Sequence, residues 1–243
     1  MCITKLLQGD CLELMKKIPD NSIDLIATDP PYRVTSRGNT GNSGGMLKKD
    51  IFSKGKVFTY NDIDCIKYAP EFYRILKDET HLYVMTNHKN LAHMINTFLN
   101  SKFHFIKSLI WNKGNKIMGH YYMSQFEYIL FFRKGKGKKI NNCGTSDILS
   151  IPNKKTKNLK GENLHDTEKP VELMKILIEN SSKENEIILD PFMGIGSTGV
   201  ACVNTNRNFI GMELDENYFN IAKDRIEKAK TQRNDDIERN KNI

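Results

Sequence analysis

Two rhythms of apolar residues alternate along the chain. Short unbroken runs, such as Ile129-Leu130-Phe131-Phe132 and Ile187-Ile188-Leu189, read as strands buried on both faces. Longer stretches bring apolar residues back every third or fourth position, as in Ile66, Ala69, Tyr73 and Leu76, and read as amphipathic helices. The pattern predicts strands over 5–7, 23–28, 80–85, 103–111, 126–132, 187–189 and 209–212. It predicts helices over 11–17, 62–76, 90–99, 168–180 and 215–228, with helical spacing again at Val200-Ala201-Cys202-Val203. Strands that alternate with helices imply an α/β fold with a doubly wound, mostly parallel sheet. Trp111 is assigned to the core.

Three stretches lack either rhythm. Residues 33–56 are rich in Gly, Ser, Asn and Lys. A loop that long inside a compact domain is functional or disordered, and it is expected to be mobile. Residues 133–165 are irregular and basic, and 231–243 form a polar tail too poor in apolar residues to hold a core position. Residues 1–230, with 33–56 as a loop and 133–165 as an insertion, are read as one domain of a size that buries a substantial core.

Composition narrows the setting. No apolar run is long enough to span a membrane, and Met1-Cys2-Ile3-Thr4-Lys5 lacks the apolar core of a signal peptide. Five cysteines without a Cys-x-x-Cys pair fit free thiols in a reducing compartment, so a cytoplasmic location is expected. The six histidines show no metal-ligand spacing, and His88 and His93 are read as a solvated helix face; no metal is expected. The net charge is +8, and all of it lies in one place. Arg133, Lys134, Lys136, Lys138, Lys139, Lys154, Lys155, Lys157 and Lys160 face a single acid, Asp147, while the rest of the chain is balanced. Such a run is commonly a solvated loop. In a nucleic-acid interface it would supply phosphate contacts and salt dependence.

Two motifs carry chemistry. The 23–28 strand runs into Asp29-Pro30-Pro31-Tyr32, at the strand end where open α/β sheets bind ligands. An exocyclic amine on a base is a poor nucleophile, because its lone pair is delocalised into the ring. The Asp29 carboxylate and the Pro30 carbonyl can accept its two hydrogens and localise that pair. The residue before a proline is held extended, and Pro30 and Pro31 have fixed φ, so these acceptors are preorganised. Tyr32 offers a stacking face worth roughly 1–3 kcal/mol per base. The second motif follows the 187–189 strand: Asp190-Pro191-Phe192-Met193-Gly194-Ile195-Gly196-Ser197-Thr198-Gly199, then helix. Gly194 and Gly196 permit close backbone approach, and the helix start suits a carboxylate. Glu213, at the end of the next strand, is placed to hold ribose hydroxyls. No Gly-Lys-Ser/Thr follows, so this is not a phosphate-binding Walker loop.

Together these residues resemble the DNA amino-methyltransferases that use S-adenosylmethionine, in the group that carries Asp-Pro-Pro-Tyr ahead of the cofactor loop. The resemblance spans roughly residues 5–228. It implies an antiparallel final strand in the sheet and S-adenosylmethionine as cofactor. It implies double-stranded DNA as substrate, with adenine N6 as the target, since cytosine-N4 enzymes usually carry Ser at the first motif position. In this reading Asp29, Pro30, Pro31 and Tyr32 are catalytic. Asp10, Asp29, His165, Lys169, Asp190, Phe192, Gly194, Gly196, Ser197, Thr198 and Glu213 hold the cofactor. His165-Asp166-Thr167-Glu168-Lys169-Pro170 resembles the family's His-Pro-Thr-x-Lys-Pro segment, with Asp166 in place of the usual proline. The resemblance also makes 133–165 a target-recognition insertion, with Arg133, Lys134, Lys136, Lys138, Lys139, Lys154, Lys155 and Lys157 on DNA. It leaves open a restriction endonuclease partner and a monomer or homodimer. The rivals are a cytosine-N4 enzyme, an RNA or protein-glutamine methyltransferase, and a non-catalytic basic DNA-binding module on the same fold.

Overall fold

Residues 23–28 are buried without exception, as a strand covered on both faces requires. The computed structural model describes residues 2–31, 63–117, 121–156, 161 and 168–241. Among these the chain runs β1 (Thr4–Gln8), α1 (Cys11–Met15), β2 (Ile23–Thr28), α2 (Cys65–Ile75), β3 (Leu76–Thr86), α3 (Leu91–Asn100) and β4 (His104–Ile117). It continues through β5 (Ser124–Arg133), β6 (Ile148–Ser150), α4 (Val171–Ser181), β7 (Ile187–Asp190), α5 (Ser197–Asn204), β8 (Asn208–Glu213) and α6 (Glu216–Lys241). None of these helices is long and apolar enough to cross a membrane.

The strands form one sheet in the order β1-β8-β7-β2-β3-β5-β4-β6. Neighbours pair in parallel, except that β5 runs against both β3 and β4. The fold is therefore α/β with a mostly parallel sheet. Its antiparallel strand is β5, from the middle of the chain, whereas β8, the last strand in sequence, is parallel to β1 and β7.

Period-two alternation divides the core. Leu25, Ala27, Tyr83, Met85, Ile129 and Phe131 pack with α4, α5 and α6. Ile26, Leu82, Val84, Leu130 and Phe132 point the other way and pack with α1, α2 and α3. Capping fixes the helix starts. Asp10 Oδ1 accepts from Leu12 N at 2.8 Å, and Asp64 Oδ1 accepts from Ile66 N at 3.0 Å. His93 is not merely solvated: its Nε2 lies 2.9 Å from Asp64 Oδ1 and ties α3 to α2.

Three expectations change. The 103–111 strand extends to Ile117, because β5 pairs with it as far as Ser124. The irregular basic segment contains β6, which lengthens the sheet beside β4 and buries Leu149. The polar tail is helical as far as Lys241, since a helix already nucleated adds residues cheaply and pairs such as Lys230 with Glu227, at 2.7 Å, support it. The 33–56 stretch lies outside the described residues.

Candidate active site

The sheet reverses its winding between β2 and β7. From β2 the chain crosses to β3 on one side, and from β7 it crosses to β8 on the other. Ligands in open α/β sheets bind at such a point, outside the carboxyl ends of the strands. Asp29 follows β2 and Asp190 closes β7, so both predicted motifs arrive there. A buried hydrogen bond joins them: Thr28 Oγ1 donates to Asp190 Oδ1 at 2.6 Å. Thr198 Oγ1, from the first turn of α5, donates to Asp190 Oδ2 at 2.6 Å, and Phe192 N donates to Oδ1 at 3.1 Å. Asp190 thus braces the glycine loop rather than facing solvent. Burial pushes its carboxyl up to about 6, against the lowering effect of these donors.

Beyond Asp190, Gly194 and Gly196 both take positive φ, at 52° and 83°. At Gly196 a side chain would also press on Ala222 Cβ at 3.0 Å. The left-handed turn leaves α5 beginning at Ser197, whose buried Oγ has no hydrogen-bond partner among the described residues. An unpartnered hydroxyl beside the orphan N–H groups of a helix start is a donor set for a carboxylate. Across the crevice, Glu213 Oε2 accepts from Gly194 N at 2.9 Å and Oε1 from Asp215 N at 2.9 Å. Burial raises the Glu213 pKa, against those backbone donors. Gly9 N bonds Glu213 O at 2.9 Å, which brings Asp10 to the same edge. These residues fit a ligand with an amino-acid end and a ribose.

Asp29 sits in a cluster of charges. Lys169 Nζ donates to Asp29 Oδ2 and lies 3.6 Å from Glu127 Oε2. Lys113 Nζ donates to Glu127 Oε1. Trp111 forms one wall, with Lys113 Nζ 5.1 Å and Lys169 Nζ 5.9 Å from its ring centroid. Pairing of Trp111 with Glu127 across β4 and β5 sets both side chains on one face, with Lys113 two residues on. Asp29 Oδ1 and Glu127 Oε2 have no hydrogen-bond partner among the described residues. Burial raises the Asp29 pKa, Lys169 opposes the rise and Glu127 adds to it. Burial alone would raise Glu127 too, but Lys169 and Lys113 outweigh it and hold that carboxyl below its ordinary value.

The family model for DNA methylases matches residues 23–224, both motifs included. The chain belongs to this N6/N4 DNA methylase family. The methylase is 31% identical over 254 residues to the type II methyltransferase M.HinfI of Haemophilus influenzae, covering 96% of this chain and 71% of that protein. Its fold resembles the M1.HpyAVI–SAM complex, with a TM-score of 0.68 at 23% identity over 92% of this chain and 100% of that one. It also resembles the cytosine-N4-specific PvuII DNA methyltransferase, with a TM-score of 0.73 at 17% identity over 93% and 86% of the two chains.

In the methylase the basic segment divides between two edges of the sheet. Arg133 pairs with His81 at the middle of β3, Lys134 O accepts from Glu79 N nearer its start, and His81 Nε2 lies 3.0 Å from Lys138 O. His81 is four residues before Met85, the level of Asp29, or about 13 Å at 3.3 Å per residue. Residues 133–139 therefore lie at the edge opposite the crevice. Lys134 is 5% exposed and donates to Asn21 Oδ1 at 2.6 Å and Leu76 O at 2.7 Å. Arg133 Nη1 donates to Gly135 O. Arg133, Lys134, Lys136, Lys138 and Lys139, expected on DNA, are thus not brought together with Asp29 and the glycine loop, because the antiparallel run of β5 carries its end away from the crevice.

Lys154 and Lys155 follow β6, which is parallel to β4, and so return to the crevice edge. Trp111 Nε1 donates to Ile151 O at 2.8 Å, and Thr156 N donates to Glu168 Oε2 at 2.6 Å. Tyr32, Lys157 and His165 lie outside the described residues. Pro30 and Pro31 follow Asp29 directly. Lys169, expected with the cofactor, has its ammonium on Asp29, another residue of that expected set. The 126–132 run, which resembles the family's strand flanking the target base, does reach the site, though its pattern assigns Glu127 no role of its own; Trp111 is buried as expected and walls the cluster, and Lys113 was not singled out. Sequence reasoning also missed the β4–β5 tip, which passes the end of β3 at Thr86 and carries Tyr122 (93% exposed) and Phe126 (42%).

Proposed function

We propose that this DNA methylase transfers a methyl group from S-adenosylmethionine to the N6 amine of adenine in double-stranded DNA. The observation that carries the reading is the meeting of Asp29 with the Asp190–Ser197 loop at the sheet's switch point, through the Thr28–Asp190 bond. S-adenosylmethionine supplies an electrophilic methyl on a sulfonium sulfur. Ser197 and the start of α5 hold its carboxylate, and Glu213 and Asp10 hold the nucleoside end. Phe192 packs edge-on to Tyr68, at 5.3 Å between centroids, and walls the loop.

Asp29 Oδ1 and the Pro30 carbonyl accept the two amine hydrogens. That geometry turns the nitrogen lone pair toward the methyl donor and positions it for in-line displacement. Bound S-adenosylmethionine would supply the methyl group and leave as the thioether; the methylated amine would be acidic, and Asp29 would accept its proton. The target base leaves the duplex to reach Asp29, at a cost of a few kcal/mol. Tyr32 stacks on it. Lys154, Lys155 and the β4–β5 tip contact the flanking duplex. Such a modification protects DNA from a restriction endonuclease reading the same site, which is the partner we assign.

Asp29 at the first motif position favours adenine. The likeness to PvuII methyltransferase favours cytosine N4 as the second reading, because both amines present the same two hydrogens. Nucleosides from digested DNA of cells expressing the methylase separate them by mass spectrometry. N6-methyldeoxyadenosine is the expected product; N4-methyldeoxycytidine in its place overturns the adenine assignment.

A further inference from the structure

Two carboxylates and two ammonium groups meet beside the unpartnered Asp29 oxygen, drawn from four separate parts of the chain. We infer that Lys169 and Glu127 act as a positioning pair for Asp29: Lys169 holds Oδ2 as part of a carboxylate, Glu127 holds Lys169, and Oδ1 alone is left toward the amine. The inference rests on the transfer reading above and assigns to that site a device the motifs do not contain.

The geometry supplies each part. Lys169 precedes Pro170, the N-cap residue of α4, so its backbone is fixed by the helix entry. Its side chain is 8% exposed and lies between Asp29 Oδ2 and Glu127 Oε2. Glu127 is itself fixed in β5 and held on its other oxygen by Lys113. Glu127 Oε2 accepts no hydrogen bond among the described residues, although Lys169 is 3.6 Å away. It is a second acceptor within reach when Asp29 turns to the amine. A buried carboxylate without a counter-charge protonates, and a protonated Asp29 would lose its strength as an acceptor. Lys169 opposes that protonation, while Glu127, a like charge to Asp29, acts on it only by holding Lys169 in place. Burial depresses the Lys169 ammonium, but Asp29 and Glu127 together raise it above its ordinary value, so it stays charged.

The charged and titratable groups facing Asp29 come from every neighbouring element. They are Lys169 before α4, Glu127 on β5, Lys113 on β4, Asp190 on β7 and Tyr68 on α2. Their signs give opposed expectations for the pH at which kcat/KM falls on the acid side. Lys169→Met removes an opposing charge and moves that limb up by roughly 1–3 pH units. Lys169→Arg keeps the charge and leaves the limb near the wild type. Glu127→Gln removes a like charge and moves the limb down.

The test measures methyl transfer to site-rich DNA across pH in wild type and the three variants, with S-adenosylmethionine affinity by calorimetry. Opposed shifts for Lys169→Met and Glu127→Gln, with cofactor affinity retained, support the pair. Limbs that stay in place, or move together, overturn it, as does a loss of affinity in Lys169→Met with no shift. If Lys169→Met fails to fold, Glu127→Gln decides alone: a downward move supports the pair, and no move or an upward one overturns it. An inactive wild type overturns the transfer reading and the pair with it, whereas an active wild type with unmoved limbs overturns only the pair.

Discussion

Lys134 and Lys154 carry the same charge and serve different ends. Lys134 is enclosed, its ammonium held by Asn21 and the Leu76 carbonyl and 4.7 Å from the Tyr73 ring centroid. Lys154 stands exposed at the crevice edge. Lys134→Ala is expected to destabilise the fold by about 1–3 kcal/mol, by leaving buried acceptors unsatisfied, with DNA affinity unchanged. Lys154→Ala is expected to leave stability within about 0.5 kcal/mol and to lower the slope of log affinity against log salt by about 1. Urea melts and anisotropy titrations at several salt concentrations check both; a salt slope that falls with Lys134 and not with Lys154 would reverse the assignment. The charge of the segment is plain in the sequence. Its division is not, because it depends on β5 running against its neighbours, and no residue in the 126–132 run states a direction.

The glycine loop shows the same contrast at the scale of an element. The strand over 187–189, the turn and the helix are legible from apolar runs and glycines, and β2 falls on its predicted bounds. The bracing bonds of Asp190 are not legible, since the resemblance placed this carboxylate with the cofactor and the sequence does not show that Thr28 and Thr198 reach it. Its burial against Thr28 and Thr198 makes it a brace, with consequences for stability. Its carboxyl stands at about 6 in the folded protein, above the ordinary 3.8. A group raised on folding contributes its full share below the unfolded pKa, and that share is lost as pH rises through the folded one. Wild type should therefore lose on the order of 3 kcal/mol more than Asp190→Asn between pH 4 and pH 7. Denaturant unfolding at these pH values measures the difference, and parallel curves for the two proteins would contradict it. The extension of β4 and the presence of β6 escaped the pattern for another reason. Both are fixed by pairing rather than by apolar pattern: the end of β4 by Ser124, across a hairpin, and β6 by Ile110 to Asn112, nearly forty residues earlier.

Across the whole molecule, the order of segments determines the site. The Asp-Pro-Pro-Tyr segment comes early and the glycine loop late, yet β2 and β7 are neighbours and their carboxyl ends share one crevice. The family was legible because the two motifs and their order resemble those of the DNA amino-methyltransferases. The charges around Asp29 were not legible, since Lys113, Glu127 and Lys169 are scattered until β4, β5 and the entry to α4 converge. Transfer of tritiated methyl from S-adenosylmethionine to DNA, compared between wild type and Asp29→Ala, tests the central claim most directly. The account predicts label in DNA with wild type and background counts with Asp29→Ala, while the variant still binds the cofactor. Equal label from both proteins, or none from wild type on DNA rich in sites, would contradict it.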